Sequence, residues 1–156
     1  MKARLDFRKA SPAGDKAMMG VHMFVRNCGL DHSLLELVKL RASYINGCAY
    51  CVDMHSKDAL AAGETAQRIV AVPVWRETPF FSPRERAALA LTEAVTLIAH
   101  DGVPDDIYVE ARRHFSEDEI VKLTIAIATI NVWNRVAITF RSDVGSYQPA
   151  PQAKAS

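Results

Sequence analysis

From Leu123 to Asn134 the chain runs through twelve residues without a charge. Just ahead of this run stands Ser116-Glu117-Asp118-Glu119. Serine followed three residues later by glutamate is a capping box, which satisfies the free N–H groups at the start of a helix. The pattern predicts a helix through Ile120, Leu123, Ile127 and Ile130 to about Phe140, apolar nearly all round beyond Leu123. The segment Leu34–Ile45 reads the same way. A helix with no polar face has to be covered on every side. A chain of 156 residues struggles to do that twice, so part of one helix is expected to be buried against another subunit. The uncharged run is too short to cross a bilayer and contains Thr and Asn, so no membrane span is expected.

The remaining start and stop signals also belong to helices. Asp31 caps a helix from His32 to about Ile45, and Asn46-Gly47 breaks it. A second helix follows from about Ala49 to Ala62, where Gly63 stops it. Ser82-Pro83-Arg84-Glu85 joins a capping box to a proline at the first helical position and opens a helix to about His100. An earlier helix is expected around Lys16 to Cys28, and short ones near Glu64–Val70 and Asp105–His114. Strand-like alternation is confined to a weak hint at Val70–Trp75. The fold class is therefore all-α. Residues 1–141 read as a single helical domain, and 142–156, with Gly145, Pro149 and Pro151, as a flexible C-terminal tail.

Nineteen basic against 18 acidic residues leave a net charge of +1. That balance gives no electrostatic ground for a nucleic-acid or anionic-membrane partner. The first six residues lack the apolar run of a signal peptide, and a cytoplasmic location is expected. In a reducing compartment a close cysteine pair points to catalysis or metal binding.

The chemistry concentrates between Glu36 and His55. Cys48 and Cys51 lie three apart at the start of a helix, on one face and within disulfide reach. A helix N-terminus favours a thiolate. His55 follows Cys51 by four residues, one turn deeper on that face. Glu36 lies roughly 15 Å of helix before the Asn46-Gly47 break, and His55 roughly 12 Å after it. If the two helices form an antiparallel hairpin, the two side chains meet at similar depth. A carboxylate, an imidazole and two thiols in one crevice can move protons on and off sulfur. The apolar neighbours of Glu36 predict burial, which raises a carboxyl pKa.

This stretch resembles the core motif of AhpD-like alkylhydroperoxidases, within the wider carboxymuconolactone decarboxylase family. The motif is Glu36, then Cys48 twelve residues on, Tyr50, Cys51 and His55. Looser likeness, including Asn131-Val132-Trp133-Asn134-Arg135, extends over about residues 15–140. The resemblance implies an AhpD-like helical domain and homo-oligomers, often trimers or hexamers. It implies reduction of a hydroperoxide without metal or bound organic cofactor, with a dithiol protein or small thiol as reductant. Cys51 would attack the peroxide, Cys48 would resolve the product as a disulfide, and Glu36 and His55 would relay protons. The best-known peroxidase members carry His between the cysteines, where this chain has Tyr50. Tyrosine donates a hydrogen bond but is a poor base near neutral pH.

Other readings of these residues bear weighing. Cys48, Cys51 and His55 with a further histidine (His22, His32, His100 or His114) fit a zinc site, though no second Cys-x-x-Cys exists. Val52 after Cys51 excludes the covalent haem pattern. Glu36 also fits a surface ion pair with Lys39. Tyr50 and Trp133 are each divided between packing and lining a substrate pocket, and Cys28 reads as an inert buried thiol. Alternative functions are a lyase of the lactone decarboxylase kind and a non-catalytic redox-sensing oligomer.

Overall fold

The computed structural model describes residues 2–149, which are helical with no strand among the described residues. The helices are α1 (Phe7–Ala10), α2 (Pro12–Arg26), α3 (His32–Asn46), α4 (Ala49–Ala61), α5 (Ala66–Ala71), α6 (Pro83–Thr96), α7 (Ile98–Asp101), α8 (Asp105–His114) and α9 (Glu117–Phe140). A 3-10 helix, Val72–Glu77, follows α5.

The starts are where the capping residues put them. The Asp31 carboxylate accepts the Leu34 N–H at 2.9 Å. Both capping boxes close, with Ser82 paired to Glu85 and Ser116 to Glu119. Gly47 ends α3 in the left-handed region at φ 68°, where a side chain would be strained. That single residue turns the chain back, and α4 packs antiparallel to α3 as the expected hairpin.

Helix α3 is the centre of the molecule, packed against α4, α6 and α9. Leu37, Val38 and Leu40 have no exposed surface. One layer of core joins Leu34, Leu35 and Val38 to Leu91, Leu123 and Ile127, and another joins Leu37 and Leu40 to Trp75, Phe81 and Leu89. The apolar surface of α3 is thus covered within one chain and needs no second subunit. Helix α9 is different. By length and composition it is apolar enough to cross a membrane, yet Leu123, Ala126, Ile127 and Ile130 are core. Val121, Val132 and Ile138 nevertheless stay about half exposed.

Three local expectations change. The alternation at Val70–Trp75 is not a strand: Val70 and Val74 face out from a helical turn, while Val72 and Trp75 face in. Pro73 suits the start of this 3-10 helix, and the Trp75 indole N–H anchors it on Glu93 at 2.7 Å. Helix α6 stops at Thr96, because Leu97 leaves helical geometry before α7 begins. Helix α1, capped by Asp6, gives no periodic signal in four residues.

Candidate functional site

The Cys-x-x-Cys pair sits on the first turn of α4. Cys48 is the N-cap itself, and its Sγ accepts the Cys51 N–H at 3.4 Å. The two cysteines form a disulfide with Cα atoms 5.4 Å apart. Both are buried. The turn before them is held from behind by α9. The Asn46 side-chain amide donates to Asn131 Oδ1 at 2.9 Å and to Asn134 Oδ1 at 2.8 Å. Asn134, fully buried, donates in turn to Ser43 at 3.0 Å. Buried amides persist only when so satisfied, and here they fix the register of the cysteine turn.

Glu36 on α3 and His55 on α4 meet as the hairpin geometry predicts. His55 Nδ1 lies 2.8 Å from Glu36 Oε2, and both residues are buried. The other Glu36 oxygen takes the Lys39 ammonium at 2.7 Å, and exposed His32 stands 3.8 Å from it. Burial and the ion pair therefore coexist rather than compete. The expected rise of the Glu36 pKa is overturned. Burial pushes it up, but the hydrogen bond and charge of His55 and the Lys39 ammonium together lower it to about 2. Glu36 is a carboxylate at neutral pH and can only accept. So His55 Nδ1 carries the hydrogen between them, and Nε2 is left free of that bond.

Two hollows flank the disulfide. The larger, about 910 Å³, is lined by Cys51, His55 and Glu36 together with Tyr50 and Trp133. The smaller, about 230 Å³, is lined by Cys48 and Tyr50 on the other side of the pair. Tyr50 and Trp133 are half-buried and line the large cavity while packing on the core layer of the cysteines. Phe7 and His22 meet the Trp133 ring edge-on at 6.0 and 6.3 Å. The Trp133 indole N–H is buried without a partner among the described residues. Burial, followed by the positive charge of Lys39, lowers the pKa of His22 and favours its neutral form. Cys28 is free and half-buried against the other side of the core, apart from the pair.

Two wall residues are absent from the sequence reading. Asp58 lies one turn beyond His55 on α4, and its carboxylate accepts the Tyr147 hydroxyl at 2.6 Å. Burial and that bond hold the Tyr147 phenol above its ordinary range, so it remains a donor. The Lys57 ammonium, paired with Asp53, also donates to the carbonyls of Gly145 and Tyr147 at 3.4 and 3.0 Å. The expected flexible tail spans 142–156. Of it, 142–149 is irregular but pinned across the large cavity, and 150–156 lies outside the described residues. The i+3 spacing from His55 points to Asp58, whereas Tyr147 gives no signal in sequence.

Glu36, His55 and Asp58 bring three potential metal ligands within 4.8 Å of one another. Lys39 and His55 engage the two Glu36 oxygens, and Tyr147 engages one oxygen of Asp58. Cys48 and Cys51, the thiols of the zinc reading, are bonded to each other. His55 Nδ1, both Glu36 oxygens and one Asp58 oxygen are thus engaged within the protein.

The model of the carboxymuconolactone decarboxylase family matches residues 12–94. The uncharacterised Bacillus subtilis protein YdfG is 40% identical over 146 residues, covering 94% of this chain and 99% of that protein. An alkyl hydroperoxide reductase AhpD from Rhodopseudomonas palustris is 43% identical over 54 residues, 31% of this chain and 30% of that one. A crystal structure of an Agrobacterium tumefaciens protein of unknown function, provisionally assigned to antioxidant defence as an AhpD, superposes with a TM-score of 0.91 at 49% identity. That match covers 94% of this chain and all of the other. With more than half its length matched and the Glu36, Cys48, Cys51 and His55 motif assembled in one place, the chain belongs to the carboxymuconolactone decarboxylase family, with an AhpD-like fold.

Proposed function

We propose that the protein is a cytoplasmic thiol-dependent peroxidase that reduces hydroperoxides through a Cys48–Cys51 disulfide. One observation carries the reading: a buried Glu36–His55 pair in 2.8 Å contact, on the same cavity wall as Cys51. In the reduced enzyme, His55 Nε2 takes the Cys51 proton, and the Glu36 carboxylate stabilises the imidazolium. The Cys51 thiolate attacks the terminal peroxide oxygen. The O–O bond breaks, and the alkoxide leaves with a proton as alcohol. Cys51 becomes a sulfenic acid. Cys48, whose sulfur receives the Cys51 N–H at the helix N-terminus, is favoured as a thiolate there. It attacks Cys51 Sγ and closes the disulfide, and hydroxide leaves with a proton as water. A dithiol protein or small thiol then restores both thiols.

The half-exposed Val121 and Val132 on α9, with Val21, Met23 and Phe24 on α2, support a homo-oligomer. Light scattering at micromolar concentration is expected to give a multiple of 17.2 kDa, and the monomer mass contradicts it.

Peroxide consumption with dithiothreitol as donor tests the activity. Sustained turnover supports a peroxidase. A lactone decarboxylase-like lyase ignores the peroxide, and a redox sensor is oxidised once and stops.

A further inference from the structure

The two cysteines of one disulfide line different hollows. Cys51 lines the large cavity and not the small one, while Cys48 lines the small pocket and not the large one. Thiol–disulfide exchange proceeds by in-line attack, so a thiolate that displaces Cys51 reaches Cys48 from the side away from Cys51. The small pocket lies next to Cys48, at the end of α9. Its rim is formed by Ile138 and Val144, both about half exposed, and by Arg141. Arg141 adopts the left-handed conformation at φ 56°, uncommon for a residue other than glycine. It ends α9 there and turns the chain along the pocket. It has no ion-pair partner among the described residues. At about 230 Å³ the pocket accommodates a thiol-bearing side chain or the arm of a small dithiol, and not a bulky hydroperoxide as well.

We infer that this pocket is the entry site for the dithiol reductant, separate from the cavity that receives the oxidant. The inference rests on the peroxidase reading for its place in the cycle. A reductant thiolate attacks Cys48 Sγ, the Cys48–Cys51 bond breaks, and Cys51 leaves as a thiolate that accepts a proton from the His55 side. The mixed disulfide on Cys48 is then attacked by the second thiolate of the reductant. This releases Cys48 as a thiolate, which takes up a proton. Two electrons pass to the protein, and the dithiol becomes a disulfide.

The test measures the two half-reactions separately. For reduction, the full chain is oxidised with diamide and the appearance of free thiols is followed after adding dithiothreitol. This arm requires no peroxidase activity. For oxidation, one equivalent of cumene hydroperoxide is consumed by pre-reduced protein. Val144→Trp and, independently, Ile138→Trp fill the small pocket from exposed positions. Each is expected to slow reduction by on the order of a hundredfold, the cost of misplacing a reacting group by about 1 Å. Met54→Trp, on the wall of the large cavity, is expected to slow peroxide consumption more than reduction. Reduction that proceeds at the parent rate in both small-pocket variants, or that is slowed more by Met54→Trp, overturns the inference. Failure of the peroxidase reading shows itself elsewhere, as no peroxide consumption by the parent protein.

Discussion

The α3–α4 hairpin and the segment 142–149 both wall the large cavity, but they are held there by different means. The hairpin lies in the middle of the core. Its faces are filled by Leu37, Leu40 and Ala59, its turn is fixed by Gly47, and Asn46 is clamped by two asparagines of α9. The segment after α9 has no regular structure and rests on Tyr147, Lys57 and a few carbonyls. Groups that move protons need fixed distances, which packing on all sides supplies. A wall that shapes access needs only to be present, and a few half-exposed hydrogen bonds suffice. Damage to the hairpin should therefore strike chemistry or folding, and loss of the segment's hydrogen bonds should strike neither strongly.

The largest effect is expected at the relay. His55→Ala is expected to lower peroxide turnover by about 10²- to 10⁴-fold, the usual contribution of general acid–base catalysis. Glu36→Gln is expected to follow it in direction. Strong oxidant should still close the disulfide in both variants. Steady-state assay at neutral pH checks this; turnover within a factor of two of the parent in His55→Ala removes the relay from the account.

Next comes the clamp. Asn134→Ala strips hydrogen bonds from Ser43 and Asn46 and leaves buried polar groups short of partners. A loss of about 2–3 kcal/mol is expected in urea unfolding. A change within about 0.5 kcal/mol would mean that the asparagines do not hold the cysteine turn.

A smaller effect is set by pH. The Glu36 carboxyl sits at about 2 in the folded chain against 4.5 without its partners. A depressed carboxyl stabilises the fold in full above its unfolded value and loses that contribution as pH falls toward its folded one. The melting temperature of the parent should therefore fall between about pH 4.5 and pH 2 more steeply than that of Glu36→Gln. Parallel curves contradict the ion-pair account.

Tyr147→Phe should give the smallest change. It removes one half-buried hydrogen bond to Asp58, so about 1 kcal/mol of stability is expected to be lost. Peroxide turnover should change only a few-fold. A collapse of turnover comparable to His55→Ala would erase the distinction between the two walls.

Legibility in sequence follows the same division. The hairpin is readable because its determinants are local: caps, a glycine, and residues three and four apart on helices of known rise. Equal depth from one turn brings Glu36 to His55 before any coordinates are known. The sign of the Glu36 pKa is not readable, because it depends on Lys39 and His55 both reaching a carboxylate that burial alone would neutralise. Tyr147 is unreadable for a different reason. It lies 89 residues from Asp58 in a Gly- and Pro-containing stretch, and no periodicity encodes its direction. Helix α3 shows the limit of reasoning by apolarity: its sequence asks for cover on all sides, but α4, α6 and α9 of the same chain supply it. Of the two apolar helices, α9 is the one that keeps apolar side chains in the open, at Val121, Val132 and Ile138.

The central claim is that Cys51 is the attacking sulfur and Cys48 the resolving one, and trapping of sulfenic acid tests it most directly. Cys48→Ser and Cys51→Ser are each reduced, treated with one equivalent of cumene hydroperoxide in the presence of dimedone, and mapped by mass spectrometry. The account predicts a dimedone adduct on Cys51 in Cys48→Ser and none on Cys48 in Cys51→Ser, with Cys28 unlabelled in both. An adduct on Cys48 in Cys51→Ser, with Cys51 unlabelled in Cys48→Ser, contradicts it and reverses the roles of the two sulfurs.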